Sequence, residues 1–363
     1  MKKILTLLWA LAVVSTAHAF SFSKTLSSGQ TLYFTITTGT AVKVVAPTAT
    51  GWNGHTTPSG RLVIPSTVEN EGTTYNVTAI DRMAFQYCYD LEAVTIPGSV
   101  VTIGQRAFVS DTSLTSLVIQ EGVQRIDMMA FNSCIALDTI ELPTTLTRIA
   151  MSVFENTGYY NNMANWNADS TLTIGPWLIK VGNQVTGTVH VHEGVLGIAN
   201  NAFLYCRYMD RVSLPSTLHF VGEGAFKDCE ELDTVQLLCE EPPAVSDDSF
   251  DGVQPLPVLV VPCSTATVYG STEYWRSHTI VEDTCPIAIN EAITSEPITV
   301  ASVRGGVVVR GAEGRALTVC DMTGRRVCYV SNATGGQYLP LPAVGIYVLL
   351  PSEGGAVKIS YCK

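Results

Sequence analysis

The chain has 363 residues, 46% hydrophobic and 15% charged, with a formal net charge of −11. That balance supports buried cores and excludes a disordered polymer. An acidic chain without a basic run also excludes nucleic acid as a partner.

The first 19 residues read as a secretory signal peptide. Lys2 and Lys3 open it, Ile4 to Val14 form its apolar run, and Ala17-His18-Ala19 is a small-x-small cleavage site. Its removal takes two positive charges and leaves −13. No later stretch approaches the roughly 18 apolar residues of a spanning helix, so no transmembrane helix is expected in the mature chain.

The central region repeats itself. Phe85, Phe108, Phe131 and Phe154 fall 23 residues apart, as do Phe203 and Phe226. Five residues before each stands Ile80, Ile103, Ile126, Ile149, Ile198 or Val221. After the phenylalanine, at six, nine and eleven residues, come sets such as Leu91, Val94 and Ile96, or Leu114, Leu117 and Ile119. A fixed period of this length predicts a stacked solenoid in which each coil completes the core of its neighbour. One coil alone does not bury enough apolar surface to offset the ordering of its backbone. The alternation after Leu91 predicts a strand with Val94 and Ile96 inward and Thr95 outward.

Cys88, Cys134, Cys206 and Cys229 follow their phenylalanines by three residues. Asp111 takes that slot between the first two, placing them two coils or about 10 Å apart, too far for a bridge. Free buried thiols are expected at all four. The period breaks between Phe154 and Phe203, where "TIGPWLIKVGN" (173–183) predicts an inserted strand or hairpin. His190 and His192 then share an outward face, but Ser213 and Pro215 on the next coil supply no further metal ligand, so no metal site is expected. No nucleophile elbow, HExxH or phosphate-cradling loop is present, and the chain is read as a non-enzyme without cofactors.

The pattern I-x-x-x-A-F-x-x-C followed by L-x-x-V-x-I-P resembles the BspA-like class of leucine-rich repeats found on bacterial surface proteins. The resemblance implies a leucine-rich-repeat solenoid with a curved parallel β-sheet and short helical or irregular convex segments. It places an N-terminal β-hairpin cap over residues 20–76, repeats over 77–262 and a closing cap over 263–285. In that context Cys263 and Cys285 look like a disulfide pair. Residues 286–297 read as a linker. Short alternating runs in 298–363 predict a C-terminal antiparallel β-sandwich. This segment also resembles the sorting domain of the type IX secretion system of Bacteroidetes, through "VCDMTGRRV" (319–327), "LPAVGIYVL" (341–349) and "VKISYCK" (357–363). The likeness implies export through the periplasm and outer membrane, with the secretion machinery as a partner. Cys320 is read as able to bridge Cys328 across a hairpin, with Cys362 an equal alternative.

The expected function is that of a secreted or cell-surface, adhesin-like binding protein. By resemblance its partners are host extracellular matrix proteins, cell-surface proteins or other cells. A surface glycan-binding protein and a non-binding structural envelope protein are the alternatives. The candidate ligand face is the outward side of the repeat strands: Glu92, Thr95, Thr115, Ser116, Asp138, Thr139, Glu141, Arg211, Ser213, Asp233, Thr234 and Gln236.

Overall fold

The computed structural model describes residues 20–246, 248–283, 298–321, 324–343, 345–352 and 357–361. The expected signal peptide and linker lie outside them. The chain forms two compact units, Met1–Thr284 and Cys285–Lys363.

The first unit is a parallel β-solenoid. Each coil contributes one longer strand and one two-residue strand. The longer strands Gly60–Val63, Leu91–Ile96, Ser116–Ile119 and Thr139–Glu141 form one parallel sheet. Thr102–Ile103, Arg125–Ile126 and Arg148–Ile149 form a second, in which Ile80, Ile103, Ile126 and Ile149 lie in one register row. All four isoleucines are buried. The 23-residue step therefore returns each side chain to the place of its predecessor.

The phenylalanine segments form a third hydrogen-bonded line. Met83 N, Phe85 N and Tyr87 N donate to Gln105 O, Ala107 O and Val109 O of the next coil, and Arg106 N, Phe108 N and Ser110 N repeat the pattern. The intervening amides, such as those of Ala84, Gln86 and Cys88, turn back to carbonyls three residues earlier. This alternation uses left-handed backbone two residues before and two after each phenylalanine: Met83 and Tyr87, Arg106 and Ser110, Met129 and Ser133. Left-handed φ is costly for side chains other than Gly, Asn and Asp. Here the inter-coil bonds hold it in place. The segments are thus successive tight turns rather than helices.

Inside them the phenylalanines stack. Ring centroids are 4.8 Å apart for Phe85–Phe108, 5.0 Å for Phe108–Phe131 and 5.7 Å for Phe131–Phe154. Phe203, Phe226 and Phe250 form a second stack at 4.6 and 4.9 Å. Each stack meets a different aromatic at its outer end. Trp52 lies against Phe85 and donates Nε1–H to Ala84 O, while Trp275 lies against Phe250 and donates to Pro243 O.

The insertion between the stacks is the expected hairpin, Thr171–Ile174 with Trp177–Val181. It occupies the place of one coil: Trp177 and Leu178 pair with Gly197 and Ile198, and Val181 N donates to Ala202 O. Gly197 is required there, since the Trp177 ring lies 2.5 Å from where a Cβ would stand. A short helix, Gly158–Asn161, precedes the hairpin and is capped by the Thr157 hydroxyl.

Parallel pairing extends beyond residues 77–262. Gly60–Val63 pairs with Leu91–Ile96, and Ile280–Glu282 pairs with Val258–Val261. These edge strands have a neighbour on one side only and lack the phenylalanine-cysteine signature. At the N-terminal end, Phe22–Thr25, Thr31–Thr38 and Ala41–Val45 form an antiparallel meander joined in parallel to Thr73–Ile80.

In the second unit, three strands (Thr299–Val303, Gly306–Arg310, Gln337–Pro340) and four strands (Leu317–Asp321, Arg326–Val330, Gly345–Pro351, Val357–Tyr361) form two antiparallel sheets. Val307, Val309 and Leu339 from one share a core with Leu317, Val319, Leu349 and Ile359 from the other. Cys320 and Cys328 are both free thiols, so the first of the two pairings left open does not form. The register explains it: a bulge after Val319 sets Cys328 opposite Val319 and Cys320 opposite Arg326. Cys362 lies outside the described residues.

Candidate functional site

The outward rows of the longer strands follow from the register. In the first sheet, Ala93, Ser116 and Thr139 form one row, and Thr95, Val118 and Glu141 the next. Glu92, Thr115 and Asp138 make a third column at the strand entrance, where Thr115 N and Oγ1–H both donate to Glu92 O and Asp138 N donates to Thr115 O. These three side chains are exposed, as are Thr139 and Glu141.

The candidate residues fall on two hydrogen-bonded sheets. Arg211, Ser213, Asp233, Thr234 and Gln236 belong to a separate sheet of Thr186–His190, Tyr208–Leu214, Thr234–Leu237, Val258–Val261 and Ile280–Glu282. The hairpin and short helix intervene in the chain, and Thr139–Glu141 ends the first sheet. Within the second sheet Arg211, Asp233 and Gln236 keep at least part of their surface, whereas Ser213 and Thr234 retain only 8% and 9%. Ser213 lies between His190 and Gln236, and Thr234 between Arg211 and Val258. Longer neighbours flank Ser213 on both sides, and Arg211 flanks Thr234 on one.

Several hydroxyls expected to meet a ligand have partners within the protein. Thr139 Oγ1–H donates to Asp138 Oδ1 at 3.1 Å and Thr234 Oγ1–H to Asp233 Oδ1 at 2.7 Å. What these pairs offer outward is carboxylate oxygen rather than hydroxyl hydrogen. His190 is exposed over Ser213, and the described residues contain no group of three or more metal-ligating side chains.

The cysteine slot is structural. Cys134 Sγ lies 3.1 Å from Phe108 O and Cys229 Sγ 3.1 Å from Phe203 O, each reaching the preceding coil. Burial pushes the Cys88 and Cys134 thiols up, so they stay uncharged. Asp111 fits this row imperfectly. Its Oδ1 accepts from Cys88 N at 2.9 Å, but its buried Oδ2 has no hydrogen-bond partner. Burial raises its pKa well above the ordinary carboxylate value. Cys263 is disulfide-bonded, and Cys285 lies outside the described residues.

A cavity of about 690 Å³ went unrecognised in the strand pattern. It opens beside the first phenylalanine turn and is lined by the 48–53 loop, Asp81, Arg82, Gln86, Tyr87 and Tyr89. The residue signal was present. Two residues after the phenylalanine, Ser110, Ser133, Asn156 and Asp228 are small, whereas Tyr87 and Tyr205 are large.

The stacked 23-residue coils, with two parallel strands and one ring per coil, define a repeat solenoid of the leucine-rich type. The BspA type leucine rich repeat region matches residues 67–175 and 184–277 in six copies, and the chain belongs to that family. No curated protein matches the chain. A leucine-rich repeat protein from Bacteroides capillosus is 28% identical over 36% of this chain and 91% of its own, with a TM-score of 0.31. A leucine rich cell surface protein from Faecalibacterium prausnitzii is 18% identical over 73% and 96%, at 0.27. A leucine-rich repeat protein from Bacteroides ovatus is 15% identical over 70% and 98%, at 0.32. Among the described residues no helix is long and apolar enough to cross a membrane.

Proposed function

We propose that this protein is a secreted or cell-surface, adhesin-like binding protein whose longer-strand sheets contact host extracellular proteins or other cells. The exposed column Glu92, Thr115 and Asp138 carries the reading, together with Thr139 and Glu141 beside it. These residues are held at coil spacing by a rigid ladder and offer repeated polar contacts to an extended partner. Arg211, Asp233 and Gln236 would form a second contact area. Export is supported by the leader pattern in residues 1–19 and by a disulfide at Cys263, which fits an oxidising compartment. Residues 298–363 would address the chain to a type IX route, on the motifs quoted above.

The test is capture of matrix proteins and host cells by the full chain. Thr115→Arg with Thr139→Arg is expected to abolish capture while leaving Tm unchanged. Capture that survives the pair places the contact elsewhere, and no capture by the unsubstituted chain favours a structural envelope role. Deleting residues 298–363 is expected to retain the protein in the periplasm. Its arrival at the surface without them would refute the sorting role.

A further inference from the structure

We propose that the cavity beside the first phenylalanine turn is a carbohydrate site that takes a neutral hexopyranose, with Tyr87 and Tyr89 as its stacking wall. This is separate from the sheet faces and does not depend on them.

The two rings are stacked, 5.9 Å between centroids and 27° between planes, and remain 51% and 53% exposed. The outer face of the pair gives an apolar shelf beside a cavity of roughly 690 Å³, within the size range of small-ligand sites. The flat C–H face of a pyranose matches such a shelf, and its equatorial hydroxyls need donors and acceptors around the edge. Asn53, Gln86 and the 48–50 threonines supply them.

Charge at the rim favours a neutral ligand. Asp81 is paired with Lys43 at 2.9 Å, which leaves Arg82 as the one unpaired ionic side chain among the described lining residues. The opposite wall is set before any ligand arrives. Thr48 Oγ1–H donates to Gly51 O at 2.8 Å, Asn53 Nδ2–H donates to Thr50 Oγ1 at 3.2 Å, and Thr48 and Gly51 bridge through their backbones. Trp52 anchors this loop on the Phe85 ring and the Ala84 carbonyl. A wall already ordered loses little entropy on binding.

Tyr87 has φ +66°, where a bulky aromatic is strained, and its ring is half exposed. Ser110, Ser133, Asn156 and Asp228 fill the equivalent slot on other coils with residues better suited to that conformation, while Tyr205 repeats the tyrosine on the Phe203 coil at φ +64°. Most coils fold without a tyrosine there.

The same comparison supplies variants that should fold. Tyr87→Ser copies Ser110, and Tyr89→Thr copies Thr112 on the next coil. The full chain is titrated with lactose, maltotriose, cellotriose and mannotriose, with ligand-observed saturation-transfer NMR as the readout. At least one sugar is expected to bind and to receive saturation mainly on one ring face. The paired Tyr variant is expected to weaken that binding by about tenfold or more, the factor two ring contacts amount to. Its Tm should be retained, and Thr115→Arg should leave sugar binding intact. Failure of all four sugars to bind, or unaltered affinity in the folded Tyr variant, overturns the assignment. Loss of sugar binding in Thr115→Arg would overturn it too, by moving the site to the sheet.

Discussion

Replacing Asp111 with cysteine is predicted to stabilise the solenoid. Asp111 occupies the slot filled by cysteine on the coils before and after it, and it is fully buried. Its Oδ2 has given up water without finding a partner, at a cost of about 1–3 kcal/mol. A thiol at this position would reach Phe85 O as Cys134 Sγ reaches Phe108 O. The Cys88 amide would not be orphaned, because it already donates to Phe85 O at 3.1 Å. Cys206 and Cys229 are neighbours of this kind and stay free, so a third thiol between Cys88 and Cys134 need not cross-link. At about 2–4 °C per kcal/mol for a unit of this size, Asp111→Cys should raise Tm by roughly 3–10 °C at pH 7. The gain must also depend on pH. The folded-state pKa of Asp111 is raised, so the folded protein keeps a proton that the unfolded chain begins to release near pH 3.8. Native stability from this group is full below that value and declines as pH rises through the folded pKa. Melting curves at pH 4, 6 and 8 should therefore show the variant's advantage growing with pH. An unchanged or lower Tm at pH 7, or a gain independent of pH, would refute the reasoning.

Phe131→Ala should cost about 3–5 kcal/mol in urea titration, because it empties a buried slot between two stacked rings. A cost near that of an exposed alanine substitution would mean that the coil collapses around the gap. Glu121 accepts from Thr144 N and Thr145 N of the next coil, and the Thr144 amide leads in holding its pKa below the usual value. Its contribution is present above the unfolded value and lost as pH falls through the folded one, so Glu121→Gln should lower Tm at pH 7 and make no difference in strong acid. Burial lowers the pKa of His278, whose Nδ1 faces Pro257 O. Stability from it is present above the ordinary histidine range and lost as pH falls through the lowered value, so His278→Phe should flatten the acid side of the Tm profile. Reduction of the disulfide at Cys263 should lower Tm, by about 2–5 kcal/mol equivalent, under conditions that leave the five buried core thiols untouched.

The period was legible because every coil imposes the same steric slot on the next. Phe108 and Phe131 had to meet once the 23-residue step was seen, and their rings lie 5.0 Å apart. The hairpin was legible from "TIGPWLIKVGN", but not its use as a substitute coil, which depends on Trp177 lying over Gly197. The left-handed residues carried no signal in composition: Met83, Arg106 and Met129 are held there by amides reaching the next coil, not by local preference. Ser213 and Thr234 read as surface because strand alternation assigns a side and not the size of the neighbours. The break into two longer-strand sheets was hidden for a similar reason, since a period reports coil count and not which strands remain hydrogen-bonded across an interruption. The cavity at Tyr87 and Tyr89 carries no signal in the strand periodicity, because its walls come from a turn and the 48–53 loop.

The joints between regular coils are interchangeable, but the two tryptophan-bearing ends are not. Within the Phe85–Phe154 stack, a 23-residue block duplicated or deleted would leave each remaining ring, amide and isoleucine a counterpart on the next coil. Recombination between similar blocks would lengthen or shorten the rod in steps of about 4.8 Å without a new folding problem. Reach is thus the property that such a molecule can vary most freely, while its two termini remain the parts that cannot be copied.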